Sequence, residues 1–450
     1  MGREYTPMAH QLQAAKALVA NPYVGLLMDV GWGKTAAALS AIRALHHTGK
    51  IKRVLVIAPK RVCQLVWPRE AKEWSSFNYM SVVFLHGRDK DKLAAQDHHI
   101  YCVNPDGLQW LVTSRILDKK KFDLLIVDES TAFKHTNTQR FKMLRRNLHK
   151  FDRRWIMTGE PVPNGLLDLF GQIYILDLGA ALGEYVTHYR MSYFMPAGFR
   201  GYTWRLQVGA EERIYDKLRG LICRPLADKK LKLPAVHTVK IAVELPVAAM
   251  QIYRGLEKEL RALVHDSKVT AYNGAVATNQ CRQVTGGALY RNTRETNKEW
   301  LRIHDEKLDA LSEVLEELQG APLLVFYEFD HERQRLMERF VAAEFTDKGI
   351  GELERAWNRG EVKMLVAHPA SVGRGLNLQK ACNHVCWFTL PWNLELYNQG
   401  VGRVARQGSS GTHVTVYHLA ALGTIDEYVE AVLRRKDKTQ EHLKLALENL

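Results

Sequence analysis

The sequence predicts an α/β fold arranged as two parallel-sheet lobes with helical insertions and a C-terminal helix. Three observations carry that reading. Short, continuous apolar runs alternate with helical stretches in two separate blocks, a pattern that implies parallel sheets wrapped by helices. A glycine-rich turn, Gly31-Trp32-Gly33-Lys34-Thr35, stands where the first run gives way to a helix. A later run, Leu124-Leu125-Ile126-Val127, ends in Asp128-Glu129, as when a central strand delivers carboxylates to the sheet edge where α/β proteins bind ligands.

In the first block the strand-like runs are Val24 to Met28, Val54 to Ala58, Val82 to Leu85, Ile100 to Val103, Leu124 to Val127 and Trp155 to Met157. In the second they are Pro322 to Tyr327, Val362 to Ala367, Val385 to Leu390 and Val414 to Leu419. Between the blocks, Leu166 to Arg224 and Val247 to Gln319 read as mostly helical, the latter with an amphipathic stretch from Met250 to Leu260. The basic, proline-ended stretch Asp228 to Pro234 is the expected crossing. The expected division is therefore 1–225, with a helical protrusion after 165, and 226–450, with a helical insertion over 247–319 and a terminal helix from 425.

A chain of 450 residues fits two to three domains. Its net charge of +14 and pI near 9.4 favour a polyanionic partner over an acidic protein surface or a bare metabolite. No apolar run approaches the roughly 18 residues of a membrane span, and the N-terminus lacks a signal-peptide plan. A cytoplasmic protein, monomeric and without a membrane partner, is expected. Six cysteines without a Cys-x-x-Cys pair argue against a zinc ribbon and a disulfide framework. Cys382 and Cys386, flanking His384, read as core thiols, and His46-His47 and His98-His99 as solvated surface.

The first turn has the makings of a phosphate cradle. Gly31 and Gly33 let backbone N–H groups approach phosphate oxygens, the new helix presents its positive end, Lys34 reaches terminal phosphates and Thr35 ligates magnesium. The strict pattern has glycine where Met28 stands. Asp128 is placed to hold magnesium through water and Glu129 to polarise an attacking water. Alone, the first motif has a lesser alternative as a glycine turn capping an ordinary βα unit, and the second reads equally as two solvated acids. Together they point to ATP with Mg2+.

With these residues in view, the chain resembles the superfamily 2 helicase-like ATPases, in particular the Swi/Snf-related double-stranded DNA translocases in their compact bacteriophage form. Tyr5 to Gln11 is similar to the motif whose glutamine reads adenine, which maps to Gln11. Met28 to Thr35 is similar to Asp-Glu-Met-Gly-Leu-Gly-Lys-Thr. Ile57 to Lys60, followed by Arg61, and Asn104 to Asp106 occupy the places of first-lobe DNA contacts. Asp128-Glu129-Ser130-Thr131 stands where the family has Asp-Glu-Ala-His, with Lys134 shortly after. Thr158-Gly159-Glu160-Pro161 resembles the coupling motif Thr-Gly-Thr-Pro. In the second lobe Gly373 to Leu378, Pro391-Trp392-Asn393, the run Gln399, Arg403, Arg406 and Gln407, and Gly423 to Glu427 all fall in family order.

The resemblance implies two RecA-like lobes and DNA-dependent ATP hydrolysis. It implies Lys34, Glu129, Arg403 and Arg406 as the catalytic set, with Gln11, Gly31, Gly33 and Thr35 on the nucleotide. Thr158, Gly159 and Gln399 would couple hydrolysis to movement, and Lys60, Arg61, Asn104, Lys134, Arg374, Asn377 and Trp392 would meet DNA. Thr131 and Glu160 depart from the family's histidine and threonine. The leading expectation is translocation on duplex DNA in phage replication or recombination, with proteins of those processes as partners. The alternatives are a strand-separating or branch-migrating helicase, and an ATP-gated DNA clamp or recruitment module.

Overall fold

The computed structural model describes residues 4–29, 31–197, 203–226, 233–265, 271–291, 299–346, 350–372, 376–406 and 408–448. Two compact units divide the chain: Met1–Leu231 with Lys436–Leu450, and Lys232–Arg435.

Six strands of the first unit come early: β1 (Tyr23–Leu27), β2 (Val54–Ile57), β3 (Val82–Phe84), β4 (Ile100–Val103), β5 (Leu124–Asp128) and β6 (Arg153–Thr158). A β7–β8 hairpin (Phe194–Ala197, Thr203–Leu206) follows, then β9 (Ile222–Cys223). The sheet order is β3-β4-β2-β5-β6-β1-β9, with neighbours parallel. Side chains alternate across it. Leu55, Ile57, Tyr101, Val103, Leu125 and Val127 enter one apolar core, while Val54, Val56, Ile100, Cys102, Leu124 and Ile126 enter the other. Burial on both faces is why these strands read as unbroken apolar runs.

The second unit contains β10 (Ala235–Val243), a β11–β12 hairpin (Ala288–Tyr290, Trp300–Arg302), β13 (Leu323–Phe326), β14 (Glu344–Phe345), β15 (Met364–Ala367), β16 (His384–Trp387) and β17 (His413–Ala421). Its sheet runs β10-β17-β16-β13-β15-β14, again parallel. The fold class is the expected pair of RecA-like parallel-sheet lobes.

Several local expectations are corrected. Leu166 to Arg224 and Val247 to Gln319, expected to be mostly helical, also carry an antiparallel strand pair each, β7–β8 and β11–β12, too short to stand out against flanking helical patterns. Strand β10 begins just after the expected crossing, of which 228–232 lie outside the described residues. It is an edge strand, exposed along most of its length and carrying His237 and Lys240, so it lacks the apolar signature of a buried strand. Its order comes from nine-residue pairing with β17, far away in sequence. The expected boundary at 225 and a second lobe reaching 450 also differ from the observed division. Leu443 is fully buried in the first unit's core, and Lys436 Nζ donates to Asn164 Oδ1 at 3.0 Å.

A buried polar network holds the end of β16. Lys307 Nζ lies 2.8 Å from Asp426 Oδ2 and donates to the Phe388 carbonyl at 2.9 Å. Asp426 also accepts from Thr285 Oγ1 at 2.9 Å and Ala421 N at 3.1 Å. Thr389 Oγ1 donates to Glu332 Oε1 at 2.7 Å, and Glu332 Oε2 accepts from the backbone N–H groups of Glu328 and Phe329. Burial raises the Glu332 carboxyl above its ordinary value. Removing one member of a buried pair strands the other charge, at about 3–5 kcal/mol, whereas an exposed pair contributes about 0–1 kcal/mol. Urea titrations of Lys307→Ala should therefore show a loss of several kcal/mol, and those of Lys240→Ala, whose pair with Glu427 is partly exposed, almost none.

His304 and His331 are buried in the same region, and burial pushes them down to about 4 and about 3. His331 stacks on Phe329, and among the described residues neither of its ring nitrogens has a hydrogen-bond partner. The fold keeps both rings neutral while an unfolded chain protonates them near pH 6.5. Stability present above pH 6.5 is thus lost as pH falls toward 4. His331→Phe should flatten this acid limb by about one proton, measured as the pH dependence of the urea midpoint.

Candidate nucleotide and nucleic-acid site

Strand β1 leads into the glycine turn, and the helix Lys34–His47 leaves it. Gly31 and Gly33 have φ of 85° and 81°, in the left-handed region open to glycine. A Cβ on Gly33 would stand 2.3 Å from Gln11 Nε2. Gln11 is engaged inside the protein: Oε1 accepts from Tyr5 Oη at 3.1 Å and Met8 N at 3.0 Å, and Nε2 donates to the Trp32 carbonyl at 3.1 Å. His10 Nε2 lies 3.0 Å from that carbonyl. The glutamine and its neighbour thus brace the turn. Lys34 Nζ donates to the carbonyls of Met28 at 2.9 Å and Asp29 at 3.5 Å, which places an ammonium beside the turn's backbone. Thr35 occupies the first helical turn.

Asp128 ends β5, buried, and accepts from Trp67 Nε1 at 3.1 Å. Burial first, then the charge of Glu129, pushes its carboxyl up to about 7; Lys34 and the Trp67 bond pull the other way. Lys34 and Asp128 therefore feel each other's field. Glu129 has φ 57° and ψ 61°, a conformation that is costly for a side chain of its size and that recurs at functional sites.

The strand ends are neighbours in register, Leu27 beside Thr158 and Asp128 beside Met157. Met28 N donates to the Thr158 carbonyl at 3.2 Å, and Glu160 N to Thr158 Oγ1 at 3.0 Å, with Gly159 between them. Ser130 Oγ donates to Gln172 Oε1 at 2.6 Å, while Gln172 Nε2 donates to the carbonyls of Pro161 at 2.6 Å and Asp168 at 2.9 Å. The glycine turn, the acid pair and the Thr158-Gly159-Glu160-Pro161 segment thus form one connected group. Thr131 and Glu160 are both buried within it. Glycines, lysine, hydroxyl and carboxylate together suit a nucleoside triphosphate and a hard divalent cation.

Other first-unit candidates have mixed surroundings. Lys60 is exposed just beyond β2, Asn104 is nearly buried just beyond β4, and Arg61 is half-buried, its guanidinium pushed down by burial. Lys134, expected at the DNA backbone, is largely buried, 3.7 Å from Asp168 Oδ2. Sequence reasoning missed Gln172 and Arg224. Arg224 lies just past β9, and its Nη2 pairs with Asp29 Oδ2 at 3.2 Å. Neither sits in a spaced motif, so only contact identifies them.

In the second unit Arg403 Nη1 donates to the Leu376 carbonyl at 3.3 Å and its own carbonyl accepts from Leu378 N at 3.3 Å. Arg406 Nη1 donates to Asn377 Oδ1 at 2.6 Å. Two motifs some thirty residues apart are thus joined, with Asn377 holding Arg406. Gln399 Nε2 donates to Glu395 Oε1 at 3.0 Å. A Cβ on Gly400 would meet the rings of Phe326 and Trp387 at 3.0 Å, so this glycine serves close packing. Trp392 packs against the second unit's core, its ring 6.0 Å from Tyr428. Arg374 lies outside the described residues.

The SNF2-related domain family matches residues 10–285, and the helicase conserved C-terminal domain family matches 306–408. The chain belongs to the SNF2-related helicase-like ATPases. It is a nucleic-acid-dependent ATPase. This SNF2-related ATPase is 34% identical over 450 residues to protein p41 of Acyrthosiphon pisum secondary endosymbiont phage 1, covering 95% of each chain. It is 20% identical over 461 residues to the ATP-dependent helicase YqhH of Bacillus subtilis (strain 168), covering 96% of this chain and 78% of that one. Among solved structures, the Sulfolobus solfataricus SWI2/SNF2 ATPase core in complex with dsDNA aligns with 99% of this chain and 96% of its own, at a TM-score of 0.46 and 18% identity. Among the described residues of the SNF2-related ATPase, no helix is long and apolar enough to cross a membrane.

Gly33→Ala tests the turn in this ATPase. The added methyl would strain a positive φ and strike Gln11, so nucleotide affinity should fall roughly tenfold or more by equilibrium titration, a loss of about 1.4 kcal/mol or more.

Proposed function

We propose that this ATPase couples ATP hydrolysis to translocation along double-stranded DNA without obligatory strand separation. The observation that supports this best is the hydrogen-bonded continuity from Met28 through Thr158 to Glu160, and from Ser130 through Gln172 to Pro161. A change at the phosphates can reach the coupling segment through fixed bonds rather than through a loose loop.

In this reading Lys34 and the N–H groups of the Gly31–Gly33 turn bind the phosphates, and Gln11 positions the turn and the adenine. Thr35 and, through water, Asp128 would hold magnesium, which would supply positive charge to offset that of the phosphates. Glu129 orients the attacking water. Arg406, with Arg403 beside it, supplies positive charge to the transferring phosphoryl group, an effect of about 10³–10⁵ in rate for arginine fingers. Thr158, Gly159 and Gln399 transmit the nucleotide state. Lys60, Arg61, Asn104 and Asn377 meet the DNA backbone, contacts that are salt-sensitive and largely blind to sequence. The similarity to a phage protein supports work in phage replication or recombination in the host cytoplasm, by a monomer alongside proteins of those processes.

Arg406→Ala and Glu129→Gln should lower DNA-stimulated turnover by about a thousandfold with nucleotide binding largely kept, whereas Lys34→Ala should weaken binding itself. ATPase rate should rise with duplex length, and a triplex-forming strand should be displaced without duplex unwinding. Fork unwinding would favour a helicase, and stimulation independent of length a clamp.

A further inference from the structure

We propose that the first unit carries a second binding site for a nucleic-acid backbone, at the edge where its sheet strands begin. This extends the duplex-DNA reading above and rests on it for the identity of the polymer.

A cleft of about 430 Å³ is lined by Lys142, Arg145, Arg146, His149, Tyr174 and Leu178. Among the described residues, no carboxylate lines it. Lys142 and Arg145 stand in the last turn of the helix Gln139–Arg145, Arg146 caps it, and His149 lies in the 3-10 turn Leu148–Lys150 that follows. They lie on the segment that leaves the catalytic end of β5 and returns to the start of β6. In a parallel sheet this is the opposite edge from Asp128 and Thr158. Arg154, buried in β6, fixes the place: it donates to the Leu148 carbonyl at 3.2 Å and to the Leu176 carbonyl at 2.7 Å, tying the ends of two helical segments together.

Arg145 is held in position. Its Nε donates to Tyr174 Oη at 2.9 Å, and its guanidinium lies 4.8 Å from the Tyr174 ring and 5.8 Å from that of Tyr185. Its terminal nitrogens have no other partner among the described residues. Lys142, Arg145, Arg146 and His149 are all exposed; cations near a helix C-terminus are favourable there, and gathered on one cleft they also offer an anionic chain a row of contacts.

The exposed ring of Tyr185 adds a flat surface for a sugar or base. A row of cations with aromatic rings beside it suits a phosphodiester chain better than an acidic peptide, whose side chains need no such flat contact.

The test is titration with a short duplex of about 15 base pairs at several salt concentrations. Wild-type protein should show two binding classes, and Lys142→Ala/Arg145→Ala/Arg146→Ala should lose the weaker one. The salt slope of total binding should fall by about 2–3, with saturating DNA-stimulated ATPase unchanged. Lys16→Ala/Lys50→Ala/Lys217→Ala, with the same net charge, should keep both classes. Lys142→Gln/Arg146→Gln/His149→Gln leaves the Arg145–Tyr174 contact in place and should also lose the weaker class, which separates charge from folding. Persistence of that class in both cleft variants, its equal loss in the control, or binding of polyglutamate but not DNA at the cleft would overturn the proposal. DNA-stimulated turnover in the same samples reports separately on the reading of the catalytic edge.

Discussion

Burial of the central strands on both faces is the constraint on which the first unit's chemistry depends. Val54–Ile57, Ile100–Val103 and Leu124–Val127 are closed to water on either side, so charge can enter only where a strand ends. Asp128 stands at that limit. The same desolvation that packs β5 raises its carboxyl to about 7, and it makes a nearby cation more valuable than it would be in water.

The polar groups around this strand end spend most of their bonding capacity on one another. Gln11 braces the glycine turn from inside, Gln172 links the segment after the acid pair to Pro161, and Asp168 takes up Lys134. Satisfied buried networks stiffen the structure that holds them. Thr131 and Glu160, which depart from the family pattern, are both buried inside this group.

The second unit solves the same problem with more buried charge. Lys307, Asp426, Glu332 and Thr389 fasten the end of β16 just before Pro391, while Asn377 and Leu376 hold Arg406 and Arg403. An arginine restrained by a neighbouring amide loses less freedom when it meets an anion than one swinging in solvent. Local fixing therefore precedes any ligand.

Periodicity and local chemistry were enough to read the strand-like runs of both sheets, the glycine turn at Gly31–Thr35 and the acid pair at Asp128-Glu129, because each is written in consecutive residues. Strand β10, the β7–β8 and β11–β12 hairpins, the placement of Lys436–Leu450, and the partners of Gln11, Lys134 and Arg224 were not legible, because each depends on residues distant in sequence. Order and spacing of residue types determined the fold class and the family. Which polar atoms meet, and so which side chains are left to face a ligand, was decided only by tertiary packing, since desolvation forces every buried donor and acceptor to find its partner wherever the fold brings one.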